Sequence, residues 1–363
     1  MTARIHIDGS HGEGGGQILR TALALSALTG RAVTLDRIRA GRRNPGLRPQ
    51  HLAVVRAMAA ICSAHVESDA VDSRTLSFAP TTPPVAGHYA LDIGEIAGRG
   101  SAGSVTLLLQ ALLVPLALAE GDSRLELVGG THVRWSPPYH YVTQVYLPIL
   151  ARIGIRARLE LPMWGWYPRG GGRLVADITG RGRASGALSP LDLTERAKLL
   201  GVEGLSAASN LPKHVMERQR DQALQRLRSR HIKGDIEMQA APSPGPGTML
   251  FLRARYEGLD AGFVGYGRLR YPAERVADDA FEAFDAHRKS RMALDPHLAD
   301  QVLLPLCLAP SASIYTTSEI TRHLMTNAWV IEHFLEREIT LTGEEGQPGT
   351  VRVAALASST SVA

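Results

Sequence analysis

The stretch IHIDGSHGEGGGQILRTALALSALTG, residues 5–30, decides the fold because it places a glycine-rich turn between two different apolar patterns. Ile5 and Ile7 alternate with polar residues before the turn, as in a strand, and an apolar run of helical length follows it. A strand, a glycine-rich turn and a helix in this order direct backbone N–H groups and a helix N-terminus at an anion. The turn has no P-loop lysine and carries Glu13 among its glycines. The stretch therefore predicts an α/β fold and an anion site that contains a carboxylate.

The same order of elements recurs along the chain. Strand, loop, helix and strand are expected over residues 91–130, loop, helix and strand over 131–161, and strand, loop, helix and strand over 311–344. The spacing is too irregular for a solenoid. We therefore predict several copies of one α/β unit, each of which packs a helix on a sheet.

The chain changes character between the third and fourth of these passages. Residues 180–190, GRGRASGALSP, have the composition of a linker, and the segment after them is more charged. Its patterns predict a polar, arginine-rich helix over 214–231, strands over 248–258 and 261–270, and an amphipathic helix over 273–290. The predicted domains are a core of residues 1–183 plus 291–355, an inserted smaller α/β domain of residues 184–290, and a flexible tail of residues 356–363.

The composition excludes several classes of protein. The 363 residues are 44% apolar and 21% charged, which is ordinary for a globular protein. Cys62 and Cys307 lie in apolar helical contexts without metal-ligand spacing, which indicates a reducing compartment and neither disulfides nor structural zinc. The most apolar run, residues 104–119, is too short to span a bilayer, and no signal peptide precedes Ile5. We expect a soluble, cytoplasmic protein without a membrane partner.

The basic residues are unevenly chosen and locally clustered. Only four of the 40 are lysines, and the rest are arginines, whose planar guanidinium suits phosphate contacts; genomic codon bias is the alternative explanation. Arg39, Arg42, Arg43 and Arg48 fall within ten residues of a loop broken by glycine and proline. Because such a loop cannot form an amphipathic stripe, the cluster predicts a seat for a polyphosphate or an anionic polymer.

Each candidate site residue also has a structural explanation when it is taken singly. Glu13 could complement a helix dipole, and Gln110 could be a buried amide with a local partner. Asp300 could cap a helix before the apolar run 301–309. A lone histidine at a helix start, such as His323, is more often structural than catalytic. The features therefore carry weight only as a set.

As a set, they resemble the RNA 3′-terminal phosphate cyclase family. The resemblance covers most of the chain and rests on seven motifs in order: GEGGGQILRTALALS, IRAGRxxPGLxxQH, GSAGSxxLLLQ, GGTxxxxSPP, YPxGGG, LADQxLLPL and HLxTN. It implies an α/β (α+β) fold, with a core of repeated βαβαββ-like units related to the enolpyruvyl transferases and an inserted smaller α/β domain.

The resemblance also implies a reaction. Such enzymes use ATP to convert an RNA 3′-phosphate into a 2′,3′-cyclic phosphodiester, through a covalent histidine–AMP and an RNA–adenylate anhydride. His323, in RHLMTN, matches the nucleophile. An imidazole suits this role because its pKa near ~6.5 leaves much of it neutral at neutral pH.

Further residues are implied by their match to the family's motifs. Glu13 corresponds to the ligand of a divalent ion, Mg²⁺ or Mn²⁺, which would bridge the phosphates of ATP. The nucleotide would be held by Gln110, Pro137, Tyr141, His297, Leu298, Ala299, Asp300 and Gln301, with Pro137 and Tyr141 against the adenine. The phosphates and the RNA end would be held by Arg20, Arg39, Arg42 and Gln50.

Two residues depart from the family's pattern. Relatives often carry tyrosine where this chain has His297, a smaller stacking surface that could alter nucleotide affinity or base choice. Arg322 stands beside the nucleophile where small residues or cysteine occur in relatives. It could help to neutralise the α-phosphate, or it could be incidental.

Three other functions compete with a cyclase. A non-enzymatic ribosome-assembly relative would lack the nucleophile, whereas His323 and Glu13 are present. An enolpyruvyl transferase would need a phosphoenolpyruvate site and would leave the histidine motif idle. A general RNA-binding protein would bind in a salt-sensitive manner without regard to the 3′ end. The physiological RNA, the oligomeric state (monomer or homodimer) and the role of the inserted domain are left open by the sequence.

Overall fold

The computed structural model describes residues 4–98, 100–181 and 186–356, and four sheets of four strands each organise this part of the chain. The strands are β1 (Ile5–Asp8), β2 (Val33–Asp36), β3 (His65–Glu67), β4 (Leu76–Ala79), β5 (His88–Asp92), β6 (Ser123–Gly129), β7 (Arg156–Met163), β8 (Gly172–Thr179), β9 (Asp192–Leu193), β10 (Leu199–Ser209), β11 (Gly234–Ala240), β12 (Gly247–Tyr256), β13 (Leu259–Tyr266), β14 (Ser313–Thr317), β15 (Ile339–Thr342) and β16 (Gly349–Val353).

Helices connect most of these strands. They are α1 (Gly16–Thr29), α2 (Pro49–Cys62), α3 (Ile93–Ile96), α4 (Val105–Leu118), α5 (Tyr139–Tyr141), α6 (Leu147–Ile153), α7 (Lys213–Arg228), α8 (Ala273–Ser290), α9 (Pro296–Gln301), α10 (Leu303–Leu308) and α11 (Arg322–Phe334). A π-helical turn, Val142–Tyr146, joins α5 to α6.

Three of the sheets are built to one plan. In each, the first two strands are parallel, the last strand runs antiparallel beside the second, and the third strand lies at the outer edge. The first unit contains β1 to β4, the second β5 to β8, and the third β9, β14, β15 and β16. The expected repeated βαβαββ units of a mixed α/β fold are therefore confirmed, with three copies.

The fourth sheet interrupts the third unit. Its strand order is β11-β10-β12-β13, and α7 and α8 pack against it. The predicted arginine-rich and amphipathic helices correspond to α7 and α8. A separate apolar cluster lies between these helices and the sheet and includes Phe263, Phe281 and Phe284. We refer to this segment, residues 199–290, as the insert.

The predicted domain limits fall close to these elements, but they stay predictions. The limit between residues 183 and 184 lies outside the described residues, as do residues 357–363 of the predicted tail. Asp192 and Leu193 pair with Ile314 and Tyr315 on the third core sheet, so the chain belongs to the core at that point. The sheet of the insert begins at Leu199.

The apolar run 104–119 forms α4, which is buried on almost every side. It begins at Ser104, whose hydroxyl accepts a hydrogen bond from the Leu107 N–H at 3.2 Å. Among the described residues, no helix is both long and apolar enough to cross a membrane. Cys62 and Cys307 are unpaired and buried, and burial raises the pKa of each thiol to about 12.

Candidate active site

The glycine-rich turn between β1 and α1 folds over the start of α11. Gly12 and Gly14 adopt left-handed backbone angles, with φ of 53° and 59°. A side chain at Gly12 would collide with the hydroxyl of Thr326, and that hydroxyl accepts a hydrogen bond from the Glu13 N–H at 3.1 Å. The glycines therefore let the turn approach α11 closely and fix the backbone of Glu13.

His323 lies in the first turn of α11, facing this loop. The helix begins after Thr321, whose hydroxyl accepts from the Leu324 N–H at 3.0 Å. The Nε2 atom of His323 lies 3.8 Å from Oε1 of Glu13, while Nδ1 is hydrogen-bonded to Oε1 of Gln17 on α1. The imidazole side chain is 51% exposed, so the ring is held on one edge and accessible on the other.

Gln17 links His323 to Asp300 on α9. Its amide nitrogen donates to Oδ1 of Asp300 at 2.5 Å. Because an ionised carboxylate only accepts hydrogen bonds, the amide nitrogen must face Asp300 and the amide oxygen must face His323. That oxygen needs a donor, so Nδ1 of His323 carries the proton and Nε2 keeps its lone pair. The Asp300–Gln17–His323 relay thus sets the tautomer that a nucleophilic imidazole requires.

Two buried residues of the HLxTN motif, Thr326 and Asn327, connect α11 to α1, α9 and the glycine loop. Asn327 accepts a hydrogen bond from the Thr21 hydroxyl at 2.7 Å and donates to the Asp300 carbonyl at 3.1 Å. Thr326, besides holding Glu13, donates to the Arg322 carbonyl at 2.7 Å. These contacts join α1 and the glycine loop of the first unit to α9 and α11 of the third.

Burial and nearby positive charge hold the imidazole of His323 neutral. Partial burial, with Arg20, His297 and Arg42 nearby, lowers the pKa of His323 to about 4. Burial lowers the pKa of Arg20 to about 10, an effect that the charge of Asp300 opposes, so Arg20 stays protonated at neutral pH. Burial raises the pKa of Asp300 to about 6 against the hydrogen bond from Gln17 and the charge of Arg20. At pH 7 the site therefore has a neutral histidine, a cationic Arg20 and a largely ionised Asp300.

Glu13 and Arg42 form an ion pair inside the loop. Arg42 contacts Oε1 of Glu13 and also donates to its main-chain oxygen at 3.1 Å. The carboxylate is only 14% exposed, and its Oε2 atom is buried without a hydrogen-bond partner among the described residues. An unsatisfied buried carboxylate oxygen suits a hard cation.

The hydrogen bonds of Arg39 and Gln50 are made to residues outside the glycine-rich turn. Arg39 has a left-handed φ of 55° and donates to the carbonyls of Asn44 and Gly46 at 2.6 and 2.9 Å, which shapes its own loop. Gln50 accepts a hydrogen bond from the Ser104 N–H at 3.3 Å and so links α2 to the start of α4. Of the four predicted anion-binding residues, Arg20 and Arg42 thus lie near His323, whereas Arg39 contacts its own loop and Gln50 contacts the second unit.

The nucleotide-binding residues predicted in the second unit cluster around the first turns of α4. The carbonyl of Pro137 accepts from the Thr106 hydroxyl at 2.8 Å, and Gln110 lies one turn further along the same helix. The amide nitrogen of Gln110 is buried without a partner among the described residues. A buried amide of this kind is available for a ligand.

Tyr141 is buried and His297 is exposed, although both were predicted to hold the nucleotide. Tyr141 is 3% exposed, donates to Oδ1 of Asp295 at 2.8 Å and lies close to the backbone of Gly262 in the insert. Its ring face is therefore covered, and it supports His297 edge-on, with ring centroids 6.5 Å apart. His297 is exposed, so it presents the open ring here and Tyr141 does not.

The remaining predicted residues lie on or beside α9. Asp295 caps α9 by accepting from the N–H groups of residues 297 and 298 at 3.0 Å. The helix over the apolar run, α10, begins after Val302 without a side-chain cap, so Asp300 does not cap it. Leu298 and Ala299 are fully buried in the core, and Oε1 of Gln301 is buried without a partner in the described chain. Arg322 pairs with Glu345 at 2.7 Å, which directs its guanidinium toward the loop before β16.

Two residues that support the site were absent from the set predicted from sequence. Gln17 lies in the GGGQILR segment, in the first turn of α1. His51 is 4% exposed and accepts a hydrogen bond from the Arg48 N–H at 3.1 Å, and a side chain at Gly16 would approach its Nε2 atom to 2.5 Å. Burial, with Arg39, Arg20 and Arg48 nearby, lowers the pKa of His51 to about 3. Both residues lie within the motifs GEGGGQILRTALALS and IRAGRxxPGLxxQH, which were the available signal.

The protein is therefore a mixed α/β protein of three βαβαββ units. Its polar site lies between the first and third units, where His323, Glu13 and Gln17 come together. The model of the RNA 3′-terminal phosphate cyclase family matches residues 11–341. The chain belongs to the RNA 3′-terminal phosphate cyclase family.

Relatives of this family are similar in sequence over nearly the whole chain. An RNA 3′-terminal phosphate cyclase from Methylococcus capsulatus is 48% identical, over 96% of this chain and 96% of its own. Those from a Nostoc species and from Gloeothece citriformis are 46% and 45% identical, over 98% and 94% of this chain and 99% and 96% of their own. Among solved structures, the enolpyruvyl transferase NikO from Streptomyces tendae matches at a TM-score of 0.28 and 12% identity, covering 98% of this chain and 66% of that one. The expected kinship with enolpyruvyl transferases stays a prediction at that level of similarity.

Proposed function

We propose that this protein cyclises the 3′-terminal phosphate of RNA, using ATP and a covalent intermediate between His323 and AMP. Membership of the family supports the overall reaction. The single observation that carries the mechanism is the placement of His323, with Nδ1 bound to Gln17 and Nε2 directed toward Glu13 and Arg42. A neutral imidazole with a fixed free nitrogen beside cations is what attack on a phosphate requires.

In the first step, the Nε2 lone pair attacks the α-phosphorus of ATP. A phosphorus–nitrogen bond forms, the bond to the bridging oxygen of the β-phosphate breaks, and pyrophosphate leaves. The Nδ1 proton stays on the ring, which becomes cationic. The Gln17 oxygen and, behind it, the Asp300 carboxylate stabilise that charge. Arg20 and Arg42 compensate the negative charge of the phosphates.

In the second step, an oxygen of the RNA 3′-phosphate attacks the same phosphorus. The phosphorus–nitrogen bond breaks, His323 returns to its neutral form, and an anhydride joins the RNA to AMP. The adjacent 2′-oxygen then attacks the RNA phosphorus, AMP leaves, and the hydroxyl proton passes to solvent. AMP is a far better leaving group than the oxygen that a bare phosphate monoester would have to expel, which explains why activation is needed.

The residues present fit a divalent ion, Mg²⁺ or Mn²⁺, that is held mainly by ATP. Glu13 offers the unsatisfied Oε2 atom, and no group of three or more metal-binding side chains occurs among residues for which positions are described. One protein carboxylate plus substrate phosphates is a common ligand set for magnesium. Such an ion would neutralise phosphate charge during displacement at phosphorus. Arg42, which pairs with Glu13 here, would then turn to the phosphates.

Buried amide atoms support the proposed nucleotide site. The Gln110 nitrogen and the Gln301 oxygen both lack partners in the described structure. They lie on α4 and α9, which connect the first and second strands of the second and third units. An adenosine has donors and acceptors for such atoms, and an unsatisfied amide otherwise costs roughly 1–3 kcal/mol. Exposed His297 and half-buried Pro137 would provide the apolar contacts, in place of the covered ring of Tyr141.

The first test is transfer of label from α-labelled ATP to the protein without RNA. We expect an acid-labile adduct that depends on a divalent ion and is absent in His323→Asn. His333→Asn is the matched control, because His333 is exposed on the same helix with its ring nitrogen on the Trp329 carbonyl. An adduct that persists in His323→Asn, or none in a folded wild-type protein that binds ATP, would refute the covalent mechanism.

The second test separates a cyclase from a general RNA-binding protein. Incubation with ATP and an RNA that ends in a 3′-phosphate should give a 2′,3′-cyclic end. The same RNA with a terminal 2′-deoxyribose should accumulate the anhydride, because the final nucleophile is missing. Binding that ignores the 3′ end, with neither product, would indicate a salt-sensitive RNA-binding protein instead.

A further inference from the structure

Two aromatic side chains outside the proposed reaction are unusually exposed. Trp135 is 89% exposed and Tyr167 is 77% exposed, whereas the other tryptophan and tyrosine residues of the described chain are at least partly buried. Trp135 also has a left-handed φ of 66°, which is uncommon for a bulky residue. A single exposed aromatic residue is ordinary, but two on neighbouring loops form an apolar surface that a ligand can cover.

The two loops that carry these residues run side by side. The N–H groups of Thr131 and His132 both donate to the Gly165 carbonyl, at 3.0 and 3.1 Å, and His132 forms a parallel bridge with Trp166. Trp135 follows this bridge by three residues and Tyr167 by one. The second chain turns back directly after the bridge, because Trp166 pairs antiparallel with Gly170. Since the bridge itself is parallel, Trp135 and this turn, which carries Tyr167, follow it at the same end of the loop pair.

A buried aromatic cluster makes the loop pair rigid. His132 stacks on Trp164 with ring centroids 3.9 Å apart, and Trp166 donates to the Ser209 hydroxyl of the insert at 2.8 Å. His132 is also hydrogen-bonded to His140 at 3.2 Å. The exposed aromatic residues thus project from a fixed base, which lowers the entropy cost of binding a ligand on them.

The same loops adjoin the proposed active site. Trp135 stands two residues before Pro137, whose carbonyl is held by Thr106. On the other loop, Gly170 lies so close to the Ser101 carbonyl that a side chain there would collide with it. Three residues after Ser101, the Ser104 N–H contacts Gln50, a residue expected at the RNA end. The aromatic pair is therefore one loop away from the proposed position of the reacting 3′ end.

The charge around the pair is positive. The guanidinium of Arg134 lies 5.3 Å from the ring centre of Trp135. Arg169 is exposed and donates to the Pro244 carbonyl at 2.5 Å. Neither arginine has a carboxylate partner within the described ranges. Exposed aromatic rings beside unpaired cations are the combination with which proteins bind single-stranded nucleic acid, by base stacking and phosphate contacts.

We propose that Trp135 and Tyr167 form a stacking platform for unpaired nucleotides immediately upstream of the RNA 3′ end, with Arg134 and Arg169 on the intervening phosphates. The inference rests on the proposed cyclase function and adds to it a preference for a single-stranded 3′ terminus of any sequence. Stacking tolerates every base because every base has a flat apolar face.

The test compares Trp135→Ala and Tyr167→Ala with wild type, using a short single-stranded RNA 3′-phosphate. The Kd for this RNA, from fluorescence anisotropy, should rise about 5- to 150-fold in each variant. Adenylylation of the protein by ATP alone should be unchanged. Trp135→Phe should retain most of the affinity, and Leu269→Ala, which alters a 92% exposed apolar residue on the insert, serves as the control. RNAs with abasic sites at the last few positions should bind wild type more weakly and lose little further in Trp135→Ala.

Each outcome decides between explanations. Unchanged RNA affinity in both alanine variants would overturn the platform. A raised KM for ATP in Trp135→Ala, with RNA affinity unchanged, would overturn it in favour of a nucleotide contact. Anisotropy measures RNA binding without catalysis. The loss of RNA affinity in the alanine variants can therefore be tested even if the protein forms no AMP adduct. Failure of the proposed function and failure of the platform are thus distinguishable.

Discussion

Replacing Gln17 with leucine removes both hydrogen bonds of the relay while nearly preserving the volume of the side chain. His323 then loses the acceptor for Nδ1–H, and Asp300 loses a donor at Oδ1. Because a neutral imidazole without a partner on Nδ1 favours the tautomer with its proton on Nε2, much of the histidine would present an N–H where the reaction needs a lone pair. We therefore expect formation of the AMP adduct to slow while ATP still binds.

The size of the effect follows from the contacts. A hydrogen bond to a charged group is worth roughly 1.5–3 kcal/mol, and the imidazole becomes charged only as the adduct forms. Loss of that stabilisation corresponds to a rate about 10- to 150-fold lower. The lost donor also allows the pKa of Asp300, already raised to about 6 by burial, to rise further, which weakens the negative charge behind the ring.

The assay is single-turnover transfer of label from ATP to the protein, combined with nitrogen-15 NMR of His323. Wild type should show a protonated Nδ1, and Gln17→Leu should shift toward a protonated Nε2. Gln219→Leu is the matched control: Gln219 is a fully buried amide of the insert that contacts Ser206 and Thr248, so its loss tests stability alone. A Gln17→Leu protein that forms the adduct within about 2-fold of the wild-type rate, with an unchanged tautomer, would refute the relay.

Three further predictions concern acidic groups and histidines. The rate of adduct formation should fall as the pH drops through about 6, where Asp300 becomes protonated. In Asp300→Asn this fall should move toward about pH 4, where His323 gains its proton. A fall that stays near pH 6 in the variant would show that another group causes it. Tyr141→Phe removes a donor from fully buried Asp295 and should lower the free energy of unfolding in urea by about 1–3 kcal/mol, whereas no change would mean that water replaces the hydroxyl. Buried His51 has a pKa lowered from 6.5 to about 3, so the unfolded chain binds its proton first and stability is lost as the pH falls below 6.5. Between pH 7.5 and 5.5 this costs up to about 1.4 kcal/mol, and the cost should be absent in His51→Gln if denaturant unfolding is measured at both values.

The repeated α/β order was predictable from sequence because each copy leaves a local trace. An apolar helix after a short loop must bury its surface on a sheet, and this constraint shows in α1, α4 and α11 alike. The number of complete units was not predictable, since the third is interrupted by the insert. The first strand of the third unit, β9, has two residues, and their partners on β14 lie 122 positions further along the chain. No local pattern records a pairing of that kind.

Polar residues on the helices between the first two strands of each unit mark this site alongside its motifs. Because α1, α4 and α9 each connect the first strand of a unit to the second, their inward faces should be apolar for the same packing reason. Each instead carries a buried or partly buried polar group: Gln17, Gln110 and Asp300. Gln17 is satisfied only by residues 283 and 306 positions away, on other helices. A helix that must pack apolar surface tolerates an amide only where another unit, or a ligand, supplies its partner. The unsatisfied nitrogen of Gln110, on the helix of the second unit that corresponds to α1, is therefore the strongest structural support for the proposed nucleotide site.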